Sequence, residues 1–192
     1  MKYTGVGVLT IFVVGIIVGL YFYLQRPINP AESNQASVAT AFNAVPNAGF
    51  LTGRVPPKGS RIYEDALYTF SLFYPEVYTV RAHFLPGEVT MIAFEKEKEK
   101  EGFQIYVTPF LEAQITDERF KKDLPSGIRK KLQEMTVDGA AGAAFDSEDR
   151  DLGGETREVW FVKNGYLFEV TAPKQFEVTL LKIMESWEFF KN

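Results

Sequence analysis

The sequence feature that most limits the fold is a hairpin centred on Asn164-Gly165. Two largely apolar runs of five residues, 158–162 and 166–170, flank this dipeptide. Asn-Gly supplies the two positive φ angles that a type I′ turn requires, so the runs are predicted to pair as antiparallel strands. Apolar side chains occupy both faces of such a hairpin, with Trp160 on one and Phe161 on the other. A sheet with two apolar faces needs cover on both sides, so we expect layers above and below it.

Further strands are predicted wherever a short apolar or alternating run is bounded by turn residues. In the first of them, Tyr68, Phe70, Leu72 and Tyr74 share one face. A turn at Asp138-Gly139 is predicted to join the strands over 136–138 and 141–145. The predicted strands cover residues 67–74, 78–84, 89–94, 103–108, 136–138 and 141–145.

Two helices are predicted to cover the sheet. Thr116 can cap a short helix over 117–123, which has acidic residues in its first turn and lysines later. A second helix is predicted over 175–186, followed by a short closing strand over 187–190. One apolar stripe marks this second helix and its end, formed by Phe176, Leu180, Ile183, Met184 and Trp187. The expected fold class is α+β, a mostly antiparallel sheet with helices on both faces.

The first 25 residues predict a different kind of element. No charged side chain occurs from Tyr3 to Gln25. About twenty helical residues, rising about 1.5 Å each, cover a hydrocarbon core of about 30 Å. Residues 1–25 are therefore predicted to be a single transmembrane anchor. A cleaved signal peptide is the alternative, but its apolar core spans only roughly 7–15 residues.

Residues 26–60 are predicted to be a flexible linker, and residues 61–192 a globular domain. The linker is rich in Pro, Ala, Asn and Ser and has no sustained period of 2 or 3.6. The short tail before the anchor favours an N-terminus in the cytoplasm and a domain outside the cell membrane. The absence of cysteine from the chain fits this location without excluding the cytoplasm.

The charge of the predicted domain limits its partners. Residues 61–192 contain 17 Lys and Arg residues and 24 Asp and Glu residues. An acidic domain repels phosphates, which argues against binding nucleic acid or an anionic lipid surface.

The order of these motifs resembles the PsbP-like family over about residues 61–192. The resemblance is carried by the segments 68–75, 103–107, 137–139 and 160–171 and by the closing helix. It implies an α/β/α sandwich with a non-enzymatic binding or assembly role, and it brings no shared catalytic residues. The family includes photosystem-associated lumenal proteins and membrane-anchored bacterial proteins, and nothing in this sequence is specific to photosystems.

His83 is the residue that any Ser-His-Asp triad would have to use, because the chain contains one histidine. It lies in a predicted strand, and no Gly-x-Ser-x-Gly elbow accompanies it. Ser126 is in a Pro-Ser-Gly sequence that indicates a loop. We therefore expect His83 to be an ordinary strand residue, and we predict no catalytic residue.

An acidic cluster surrounds Gly153-Gly154, and its oxygen ligands would suit Ca²⁺. Its spacing does not match the EF-hand loop, so we expect an acidic turn and no metal site. An enzyme remains the alternative to a binding module, either a hydrolase or a metal-dependent enzyme using His83 or residues 146–155. The cluster consists of Asp146, Glu148, Asp149, Asp151 and Glu155.

Two runs of charge are expected to be solvated. Residues 95–101 alternate Glu and Lys and join two apolar strands, which is typical of an exposed hairpin tip; a charged recognition surface is the alternative. Residues 129–131, Arg-Lys-Lys, form a basic cluster that could contact an acidic partner or lipid headgroups. The sequence thus predicts a membrane-anchored binding or assembly module without a cofactor, whose partners are the membrane, through the N-terminal helix, and another protein.

Overall fold

The computed structural model describes residues 49–96, 101–124 and 126–191. The predicted anchor and all but the last part of the predicted linker lie outside these residues. Within the described ranges, no helix combines the length and the apolar character needed to cross a membrane.

The described chain forms ten strands, two α-helices and one 3₁₀ turn. The α-helices are α1 (Asp117–Asp123) and α2 (Glu177–Glu185), and the 3₁₀ turn over Lys174–Phe176 leads into α2. The strands are β1 (Ser60–Asp65), β2 (Phe70–Pro75), β3 (Thr79–Leu85), β4 (Val89–Glu95), β5 (Gly102–Pro109), β6 (Lys130–Val137), β7 (Ala140–Asp149), β8 (Gly154–Lys163), β9 (Tyr166–Pro173) and β10 (Glu188–Phe189).

The strands form two antiparallel sheets. The larger has seven strands in the order β3-β4-β5-β9-β8-β7-β6, and the smaller has the order β1-β2-β10. The predicted hairpin is confirmed as β8-β9, with φ of 53° at Asn164 and 81° at Gly165. The turn predicted at Asp138-Gly139 joins β6 and β7 in the same way, because both of its residues also have positive φ.

The main core lies between the two sheets and consists largely of aromatic rings. Phe70 of β2 stacks on Trp187 with ring centres 4.4 Å apart, and Phe161 stacks on Phe168 at 5.0 Å. The predicted apolar stripe of α2 is buried in this core, formed by Phe176, Leu180, Ile183, Met184 and Trp187. The large apolar area removed from water is the main source of stability here.

The expected α+β class is confirmed, and a second sheet that was not predicted joins the helix on one face of the large sheet. The small sheet and α2 together cover one face, and α1 covers part of the other, where Phe120 packs on Phe145 and Trp160. The difference arises because β1 was not predicted. β1 pairs with one side of β2 and β10 with the other, so β2 becomes the centre of a second sheet.

Residues 49–58 fall in the predicted linker but contact the domain. The guanidinium of Arg54 donates hydrogen bonds of 2.6 Å to the Ser71 hydroxyl and to the Ser186 carbonyl, and it lies 3.0 Å from the Glu188 carboxylate. It also lies over the ring of Phe73, 4.3 Å from the ring centre. The folded part of the chain therefore includes residues that precede position 61.

Candidate binding surface

Asp146, from the predicted acidic cluster, is buried among cations. Its Oδ1 accepts hydrogen bonds from Lys174 at 2.6 Å and Arg157 at 3.1 Å, and its Oδ2 lies 3.1 Å from the Lys131 ammonium. Burial alone would raise the pKa of Asp146, but these three partners outweigh it and lower the pKa to about 2. Because its oxygens already face three cations, this carboxylate is a poor metal ligand.

The rest of the cluster is spread over β7, the turn that follows it and β8. Glu148 pairs with Lys130 at 3.3 Å, while Asp149 Oδ1 accepts a 2.8 Å hydrogen bond from the backbone of Asp151 and so orders the turn. Among the described residues, no three His, Cys, Asp or Glu side chains come together as a metal site. The predicted acidic turn is thus shorter than expected, because β7 and β8 extend into it; Glu155 already belongs to β8.

His83 and Ser126 are placed far apart. His83 is exposed on β3, the edge strand of the large sheet, opposite Met91 of β4. The hydroxyl of Ser126 lies 3.1 Å from that of Ser147 on β7. β3 and β7 are separated by five strand spacings, which is about 24 Å. No step that needs both side chains is therefore available in this arrangement.

The basic cluster is engaged with acids of the same domain. Arg129 stacks over Phe120 and donates a hydrogen bond of 2.7 Å to Asp117. The two lysines that follow it also form ion pairs, Lys130 with Glu148 and Lys131 with Asp146. The charged run between β4 and β5 lies partly outside the described residues. At its ends, Lys96 lies 3.6 Å from Glu101.

The face under α1 contains buried acids that the sequence did not indicate. Glu158 accepts hydrogen bonds from the hydroxyls of Thr171 at 2.5 Å and Thr156 at 2.7 Å. Burial raises its pKa above the ordinary value, and these hydrogen bonds oppose the rise. Burial also raises the pKa of the neighbouring Glu169 to about 8, and the carboxylate of Asp123 on α1 adds to this effect.

The raised pKa of Glu169, which favours its neutral form, explains how α1 can lie over these acids. Oε1 of Glu169 and Oδ2 of Asp123 are both buried. Arg119 forms an ion pair with Asp123 within α1. With Glu169 neutral and Asp123 paired with Arg119, the three side chains carry no excess charge, which makes their burial tolerable.

A groove opens between the β1-β2 turn and the β3-β4 hairpin, with a volume of about 260 Å³. Its walls include Leu67, which is 64% exposed, Phe84, 73% exposed, and Leu85, 38% exposed. The hydroxyls of Tyr68 and Thr90 are hydrogen-bonded to each other at 2.6 Å, which reduces their capacity to form hydrogen bonds with a ligand. The remaining lining residues are Glu88, Val89, Pro109 and Tyr166.

In this groove, exposed apolar side chains surround a concavity, which sequence analysis did not predict. Four separate segments of the chain line it, so no local motif could reveal it. The one available signal was the pair Phe84-Leu85 directly before the Pro86-Gly87 turn, because apolar residues at a hairpin tip have little core to enter. Clustered exposed apolar side chains mark interaction sites.

Among solved structures, this fold is similar to that of cyanobacterial PsbP (CyanoP) from Synechocystis sp. PCC 6803. The two share 12% sequence identity and a TM-score of 0.52, over 70% of this chain and 94% of that chain. The chain has a PsbP-like fold. The family resemblance predicted from the motifs is thereby confirmed at the level of the fold.

A second similar structure is a protein from Bacteroides thetaiotaomicron VPI-5482. It shares 14% identity and a TM-score of 0.47, over 70% of this chain and 50% of that chain. No family model and no curated protein sequence matches the chain.

Proposed function

We propose that this protein is a non-enzymatic binding or assembly module that contacts a protein partner through the groove. In this proposal, residues 1–25 anchor it in the cell membrane as a single span, with the N-terminus in the cytoplasm and the domain outside. The observation that carries the proposal is the groove, with the exposed side chains of Leu67, Phe84 and Leu85 around it.

The chemistry of the groove favours an apolar side chain of a protein as its occupant. Pockets for small molecules and cofactors have volumes of about 300–1,000 Å³. The groove, at about 260 Å³, is below that range and is open to solvent beside exposed apolar residues. Glu88 is its one charged lining residue, and it sits in a domain with an excess of acids, so an anionic headgroup would be repelled.

The alternative enzyme function gains no support from the arrangement of its candidate residues. His83 lies on an exposed edge strand, and Asp146 is held by three cations. The PsbP-like fold is compatible with a binding role but does not by itself assign one.

Site-specific photo-crosslinking of the full chain in its native membranes tests the binding function. A photoreactive phenylalanine at Leu67 is expected to give a protein adduct of defined mass. Phe84→Asp should abolish this adduct, while Val178→Asp, at an exposed position on α2, should leave it unchanged. Equal adducts from probes at positions 67 and 178, or adducts with lipid alone, would contradict the proposal.

The absence of cysteine provides a direct test of the location. Leu111 is fully exposed, so Leu111→Cys places a single accessible thiol on the domain. A membrane-impermeant maleimide should label it in cells whose inner membrane is intact. Labelling that requires lysis of that membrane would place the domain in the cytoplasm.

A further inference from the structure

The two outer strands of the seven-stranded sheet differ in how their edges are protected. β6 contains Lys130, Lys131 and Glu134, and its register against β7 shifts between Lys130 and Gln133. Charged residues and irregular register are common devices that stop an edge strand from pairing with another chain. β6 is therefore an edge that is built to remain unpaired.

β3 has none of the irregularities seen in β6. Its seven residues pair with β4 in one continuous register, it contains no proline, and six of the seven are exposed. No other strand among the described residues pairs with its outer side. It also contains no acidic residue, although the domain has 24 of them, so two copies can approach here with the least repulsion between acids.

The apolar residues on either side of Ala82 in β3 are complementary across a two-fold axis. In an antiparallel pair of β3 strands centred on Ala82, Val80 of each copy lies opposite Phe84 of the other. Such pairs of an aromatic and a β-branched side chain stabilise antiparallel sheets. The small side chain of Ala82 lies on the two-fold axis, and each Arg81 keeps its own Glu95 at 3.4 Å.

We infer that the partner at this edge is a second copy of the chain, which joins two seven-stranded sheets into one through antiparallel β3-β3 pairing about Ala82. Phe84 takes part in both the groove and this pairing, but the inference rests on the residue order and free edge of β3 and not on occupation of the groove. One strand pair is a small interface compared with the roughly 1,600 Å² of a standard complex. We therefore expect pairing in the membrane, where copies are concentrated, and not in dilute solution.

Disulfide trapping of the full chain in its native membranes tests the pairing, because the chain has no cysteine of its own. Directly opposed residues in an antiparallel pair have Cα atoms about 4.5–5.5 Å apart, within the range that a disulfide spans. Under mild oxidation, Ala82→Cys should therefore shift from the 21.7 kDa monomer to twice that mass. Leu132→Cys, an exposed position on the β6 edge, is the matched control and should remain monomeric.

The register is tested by two further variants. Val80→Cys and Phe84→Cys, carrying different tags and expressed together, should form a mixed disulfide dimer, whereas each alone should not. Equal trapping of A82C and L132C, or trapping of V80C with itself as efficient as with F84C, would overturn the inference. A disulfide from A82C to a different protein would also overturn it, and would assign the edge to a foreign strand.

Discussion

One face of the seven-stranded sheet is sealed by aromatic rings, and the other holds carboxylates under a helix of two turns. On the first, Phe161 and Phe168 are fully buried against the small sheet. On the second, Glu158 and Glu169 lie beside Trp160, covered by the seven residues of α1. The contrast shows two ways of closing a sheet: burial of apolar area that is indifferent to pH, and burial of acids that depends on their protons.

The largest expected effect concerns the aromatic face. Phe168→Ala removes a ring that contacts Phe161, Phe70 and Trp187 with ring centres 5.0–5.7 Å away. It should lower the free energy of unfolding by about 3–5 kcal/mol, because lost transfer energy and a cavity add together. Urea unfolding measures this. Phe84→Ala, at an exposed position, is the control and should change stability by less than about 0.5 kcal/mol.

The second prediction concerns the protons of the α1 face. The pKa of Glu169 is raised from 4.5 to about 8, so the folded state retains a proton that the unfolded state loses. Stability should therefore fall as pH rises from about 4.5 to 8. Glu169→Gln should remove this part of the pH dependence and stabilise the protein at pH 7 by on the order of 1–3 kcal/mol.

Urea unfolding at several pH values provides the measurement. Glu155→Gln changes an exposed carboxylate near one end of β8 and should retain the wild-type slope. If E169Q keeps that slope as well, Glu169 does not retain a proton in the folded state, and the two faces do not differ in their dependence on pH.

The smallest effect is expected at the start of α1. The Thr116 hydroxyl accepts a 3.2 Å hydrogen bond from the backbone N–H of Arg119 and caps the helix. Thr116→Ala should lower the free energy of unfolding by about 1 kcal/mol, whereas Thr116→Ser should be nearly neutral. The fluorescence of Trp160, which stacks on Phe120 of α1, reports whether the helix leaves the sheet first. An unchanged stability in T116A would mean that packing alone holds α1.

Sequence reasoning succeeded where the signal was local. Asn164-Gly165 and Asp138-Gly139 specify their own turns, and the stripe of α2 is a pattern within one helix. β1 was not predicted because four of its six side chains are polar or charged. One of them, Glu64, accepts hydrogen bonds from the backbone of Leu51 and Thr52. Such a strand shows no clean alternation of apolar and polar residues.

The groove and the buried acids could not be predicted from local sequence patterns for a similar reason. The groove combines residues from four segments, and the partners of Asp146 come from β6, β8 and the turn before α2. The buried acid Glu169 has an ordinary place in the sequence, and only the position of α1 above it makes it unusual. Contacts between distant segments cannot be derived from one sequence, because many alternative pairings of segments fit the local sequence pattern equally well.

The contacts of Arg54 have a mechanical consequence. Its guanidinium joins the start of the described chain to Ser71 on β2 and to Ser186, 132 residues away. Tension applied through residues before Gly49 therefore reaches the hydrogen bonds of Leu51 and Thr52 to Glu64, and then the contacts of Arg54, before it reaches the backbone of β1. To yield, the chain must release a hydrogen-bonded cation from two separate elements at once instead of peeling one edge strand away.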